Sequence, residues 1–181
     1  MGTSLSVLVF SACVTGPEHV VQSAVQEEVV VQEANIVAVD LEKSEVKWHG
    51  SKVVGGGEDG SVKLQSGELD LDGEKVVGGS FVMDMTSIIS DEGIVALEDH
   101  LKGADFFDVV AYPVAKFEIT SFDETGVSGN LEIKGITRNI SFPVVQVGGE
   151  YTASFAIDRT EWDVKYGSGK FFDDLGDSVI D

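Results

Sequence analysis

From Ile36 onward, apolar side chains recur at every second position in short runs, and that period leaves few folds open. Val46 and Trp48 alternate with Lys47 and His49, Val62 and Leu64 with Lys63 and Gln65, and Leu69 and Leu71 with Glu68, Asp70 and Asp72. The pattern returns at Phe81, Met83 and Met85, at Phe117 and Ile119, and at Leu131 and Ile133. It returns again at Ile140, Phe142 and Val144, and at Tyr151, Ala153, Phe155 and Ile157. Alternate side chains of a strand point to opposite faces, so each run predicts a strand with one dry and one wet face. Turn-forming pairs separate the runs at Gly55-Gly56-Gly57, Asp72-Gly73, Thr125-Gly126 and Gly148-Gly149. Short strands joined by tight turns predict an antiparallel meander, barrel or sandwich. Asp91–Asp108 breaks the rhythm. There Ile94, Leu97 and Leu101 fall at helical spacing with Gly103 as a stop, which predicts one short helix. Pro113 falls near a strand start and Pro143 within a strand, where a missing N–H suits an edge or bulge.

Charge removes several functions. Twelve Lys and Arg stand against 32 Asp and Glu, a net charge of −20 on 181 residues. Phosphate backbones are held by basic patches, so nucleic acid is not an expected partner. Adhesion by charge to an anionic membrane is disfavoured for the same reason. With 43% hydrophobic residues, the acidity sits on a chain that can still bury a core.

Residues 1–13 read as an export segment. Leu5–Ala12 is a short apolar run, and Ser11-Ala12-Cys13 after it resembles a bacterial lipobox, although Phe10 stands where Leu is commonest and no basic residue precedes the run. Cys13, the only cysteine, is therefore the expected lipidation site. The expected address is the periplasm or outer cell envelope, with the membrane reached through that anchor alone. Residues 14–36 hold four Glu, no Lys or Arg and no aromatic residue, which predicts a flexible acidic tether; a helix over Gln22–Ala34 is the alternative. Residues 37–181 then form the folded domain.

Several separated motifs in that domain occur together in a known family. His100-Leu101-Lys102-Gly103-Ala104-Asp105-Phe106-Phe107-Asp108 precedes Tyr112-Pro113 and Phe117. Val82–Ile88 stands ahead of them in the preceding strand, and Gly129-Asn130-Leu131 with Ile133–Thr137 and then Ile157–Thr160 with Tyr166–Gly169 come after, all in the family's order. In these motifs the chain resembles the YceI-like family. The resemblance implies an all-β, eight-stranded antiparallel, lipocalin-like barrel that is exported and holds a polyisoprenoid or other long-chain amphiphilic lipid. Ser178–Asp181 reads as a closing strand cut short.

A barrel of eight strands either fills with side chains or holds one small ligand. The expected inward residues are Trp48, Phe81, Met83, Met85, Phe117, Ile119 and Phe155, interleaved with the small Gly50, Gly79, Gly129 and Ala153. Such a lining suits an alkyl or prenyl chain, whose burial yields about 0.8 kcal/mol per CH₂ without polar partners. Methionines adapt to an irregular tail. The helix and the turn after it are the expected mouth, with Phe106 or Phe107 bordering the pocket and His100 placed for a head group or a structural hydrogen bond. The competing reading is a filled barrel, monomeric or homodimeric, whose strand edges bind a protein partner.

Catalysis has little material. The domain holds only His49 and His100, and no Cys–His or paired-histidine spacing points to a nucleophile or a transition metal. No cofactor is expected. The oxygen-rich Glu58-Asp59 and Asp173–Asp177 loops lack the helix-loop-helix calcium pattern, and Arg159 is expected to pair with Asp158 or Glu161 at a strand end.

Overall fold

The computed structural model describes residues 21, 23–28, 34–51, 57–165 and 179–180. Among these are eleven strands and one α-helix. In chain order the strands are β1 (Asn35–Ala38), β2 (Val46–Ser51), β3 (Gly57–Asp72), β4 (Lys75–Ser90), β5 (Val114–Asp123), β6 (Gly126–Ile133), β7 (Ile136–Phe142), β8 (Val145–Val147), β9 (Glu150–Thr152), β10 (Ile157–Asp158) and β11 (Val179–Ile180). The helix α1 (Val95–Lys102) joins β4 to β5.

One antiparallel sheet runs β10-β11-β2-β3-β4-β5-β6-β7, with β1 added against β3 and the β8–β9 hairpin set apart. This corrects the expected architecture in two ways. Among the described residues the strands number eleven rather than eight, and β7 and β10 stay at opposite ends of the sheet order, so the described strands form no closed barrel. The last strand is not an open edge, because β11 pairs with β10 on one side and β2 on the other.

Two runs that read as separate strands, Val62–Leu64 and Leu69–Leu71, belong to the single 16-residue β3. The register shift between Leu64 and Ser66 absorbs the break in alternation, so apolar positions on either side still face the same way. Pro143 ends β7 instead of lying within it, since its missing N–H cannot continue the ladder. Ala153 and Phe155 likewise fall outside the strands.

The helix forms where its period required. Leu101 is buried and Leu97 packs on the core, and the helix stops at Gly103, whose N–H donates to the His100 carbonyl at 3.0 Å. The core is one cluster on the inner face, from Val62 and Leu69 through Ile88, Ile119 and Ile140 to Trp162 and Val164. No described helix is long and apolar enough to cross a membrane.

Candidate functional site

Cross-strand register assembles the inner face in rows. Trp48, Gly60 and Ser90 are partners across β2, β3 and β4. Farther along, Gly67, Phe81, Phe117, Leu131 and Arg138 line up across β3 to β7. Met83 sits between Leu64 and Ala115 in the next row. Because paired residues point to the same side, these rows make one apolar surface bounded by the sheet. Along β3 these rows run from Gly60 to Gly67, roughly 23 Å at strand rise.

Two glycines let large rings lie flat on this surface. A Cβ at Gly60 would run into the Trp48 ring, and one at Gly129 would run into the Phe117 ring. Both positions therefore require glycine for the neighbouring ring to occupy its place.

The predicted ligand residues divide by exposure. Met85, Phe107 and Ile119 are buried in the core cluster, whereas Trp48, Phe81, Met83, Phe106, Phe117 and Phe155 are partly exposed and pack against it. The second set keeps part of its surface exposed. Phe117 lies 5.4 Å from Phe142, which stacks on Phe155 at 3.9 Å and 12°. Phe142 thus ties two predicted residues together from between them. Its alternation was visible in the sequence, but its link to Phe155 needed the return of the chain after β9 to bring the two together.

Phe106 and Phe107 diverge, as neighbours after a helix do. Phe107 enters the core, while Phe106 stays partly exposed beneath a cluster of charged groups. The His100 ring meets Phe106 edge-on at 5.7 Å, and Nδ1 of His100 lies 3.8 Å from the Asp105 carboxylate. The Arg159 guanidinium sits over the Phe106 ring, 5.4 Å from its centroid. Arg159 is buried, its Nη1 donating to the Val164 carbonyl at 2.6 Å. Burial pulls its guanidinium below the ordinary value, and the charge of the Asp158 carboxylate opposes that shift. The other expected partner, Glu161, lies 3.8 Å from Arg138.

Sequence reasoning missed the plug at one end. The chain after β10 makes a 3₁₀ turn over Arg159–Trp162, capped by Asp158, and drives Trp162 into the core, where its indole N–H donates to the Leu131 carbonyl at 3.0 Å. Trp162 and Val164 together fill the interior beside β6 and β7. An isolated tryptophan among charged neighbours carries no period, so no sequence signal marked it. Cys13 and the Asp173–Asp177 loop lie outside the described residues.

The YceI-like domain profile matches residues 38–180, most of the chain. The chain belongs to the YceI-like family. Its fold is that of the crystal structure of BcnA from Burkholderia cenocepacia, with a TM-score of 0.64 at 24% identity over 78% of this chain and 93% of that one. The structure of a polyisoprenoid binding domain from Saccharophagus degradans, implicated in plant cell wall breakdown, gives 0.59 at 15% identity over 82% of this chain and 94% of that one. Among curated sequences, a UPF0312 protein of Pseudomonas putida strain F1 is 42% identical over 50 residues, 25% of this chain. The chain spans about a quarter of that relative's length. In this YceI-like protein the family motif His100–Asp108 forms the end of α1 and the turn that carries Phe106 and Phe107.

Proposed function

We propose that this protein binds a polyisoprenoid or other long-chain amphiphilic lipid along its inner face, as a carrier or store and without chemistry. The observation that carries the reading is the partly exposed strip of Trp48, Phe81, Met83, Phe117 and Phe155 laid on a closed apolar core. A chain-like tail suits its length, and each buried CH₂ contributes about 0.8 kcal/mol. The name of the Saccharophagus degradans domain supports a polyisoprenoid as the class. Met85, Phe107 and Ile119 stand behind the strip as its supporting wall. Near the turn after α1, the grouping of His100, Phe106 and Arg159 is the proposed place for a polar head.

The second reading, a filled barrel that binds a protein, draws on Trp162 and Val164, which already occupy one end of the interior. Solvent extraction of the purified protein followed by mass spectrometry separates the two. The lipid reading expects a co-purifying long-chain lipid or uptake of an added polyprenol; loss of both results contradicts it. Export and anchoring through lipidated Cys13 complete the proposal. Mass analysis of the mature N-terminus tests that part, with an unmodified chain extending past Cys13 as the contrary result.

A further inference from the structure

The segment ahead of β1 makes contacts that a free tether would lack. Ala24 and Asn139 exchange both backbone hydrogen bonds, with the Ala24 N–H donating at 2.8 Å and the Asn139 N–H returning at 3.1 Å. Asn139 belongs to β7, one end of the open sheet. Three residues earlier, the Val21 N–H donates to the carbonyl of Ala156 at 3.0 Å, next to β10 at the other end. The same short stretch therefore touches both edges of the seam that the strands leave open.

Beyond Ala24 the segment crosses the outer face and is held through its backbone. The Asn130 side chain reads one residue twice: its Oδ1 accepts from the Glu27 N–H at 3.0 Å, and its Nδ2 donates to the Glu27 carbonyl at 2.8 Å. Asn139 Nδ2 donates to that same Oδ1 at 3.2 Å and to Thr120 Oγ1 at 3.3 Å, which fixes the orientation of the amide. Thr120 in turn donates to the Glu27 carboxylate at 3.4 Å. Asn130 and Asn139 are 3% and 5% exposed, yet they sit at outward positions of β6 and β7 where an uncovered sheet would be wet. Buried amides of this kind are retained where they have partners; those of Asn130 are on the leading segment, and those of Asn139 are Asn130 and Thr120.

We propose that the Asn130 side chain and the Asn139 backbone form a binding site for an extended peptide backbone, with Thr120 adding a hydrogen bond to the Glu27 carboxylate, and that residues 21 and 23–28 of this chain are its occupant, a strap laced across the seam. Recognition is by main-chain groups, as when a strand is added to a sheet edge. At Asn139 the strap occupies the β7 edge, where that residue's N–H and C=O would otherwise be unpaired. Where Cys13 is the lipid anchor proposed above, the run from Cys13 to the first strap residue, Val21, spans at most roughly 30 Å, and the seam side of the domain is kept toward the membrane.

Hydrogen exchange on the full chain tests the strap without reference to ligand or anchor. In the native protein the amides of Ala24, Glu27 and Asn139 are expected to exchange at least about tenfold more slowly than in an unstructured peptide. Asn130→Asp keeps the side-chain shape but removes the donor to the Glu27 carbonyl and sets a negative charge beside Glu27. Ala24→Pro removes the N–H that pairs with Asn139. Each variant is expected to release residues 21–28 to peptide-like exchange while β3 and β4 retain their protection. Peptide-like exchange of residues 21–28 in the native protein overturns the proposal, and so does unchanged protection of that segment in both variants. An unmodified Cys13 would remove the anchor and leave this result as it stands.

Discussion

Single residues carry the sharpest consequences. Phe117 lies on the exposed part of the inner strip, flat over Gly129 and 5.4 Å from Phe142. Phe117→Glu or Met83→Asp places a charge against the proposed ligand tail, and uptake of a fluorescent polyprenol analogue is expected to fall at least about tenfold while circular dichroism shows the sheet intact. Gly129→Ala acts on the same ring from the strand side. Its Cβ meets the Phe117 ring and the Glu118 carbonyl, the latter at 2.7 Å, and overpacking of this kind costs about 1–3 kcal/mol in denaturant unfolding. Tyr151 titrates at the other extreme of pH. Burial raises its pKa, while the hydrogen bond from Gln146 opposes the shift, so the folded state prefers the neutral phenol. The corresponding stability is fully present below the ordinary tyrosine range near pH 10 and is lost as pH rises through the folded value. Unfolding measured from pH 9 to 12 is expected to show a smaller alkaline loss in Tyr151→Phe than in the native chain.

At the scale of elements, α1 and the turn after it close the inner face over β4. Leu101→Ala removes a buried side chain from that contact and is expected to cost about 2–5 kcal/mol in denaturant unfolding. A loss near zero would show that the helix is not packed as described. The helix was legible because Ile94, Leu97 and Leu101 keep one period, and most strands were legible because theirs is two. What lacked a period stayed hidden. The length of β3 was obscured by the register shift between Leu64 and Ser66, which changes the alternation without ending the strand. The 3₁₀ turn that delivers Trp162 consists of four residues chosen by tertiary contacts. The seat of residues 21–28 depends on Asn130 and Asn139, whose amides have meaning only once two strands place them side by side. For the site, apolar type and parity identified the inner strip, but parity alone could not separate the buried Met85 and Ile119 from the accessible Met83 and Phe117.

For the whole molecule, the net charge of −20 surrounds an apolar interior. Such a shell favours solubility and mutual repulsion between copies, and it leaves a lipid tail as the part of a ligand that the interior can hold. The open order of the sheet, from β10 round to β7, sets where that interior lies, and the inner strip of β2 to β5 is its accessible wall. Stoichiometry of bound lipid measures the central claim most directly. Protein purified without detergent, extracted with organic solvent and analysed by mass spectrometry, is expected to release a long-chain isoprenoid or similar lipid near one per chain, and Phe117→Glu protein with a native spectrum is expected to release little. A native protein that yields no lipid and takes up no added polyprenol would contradict the account.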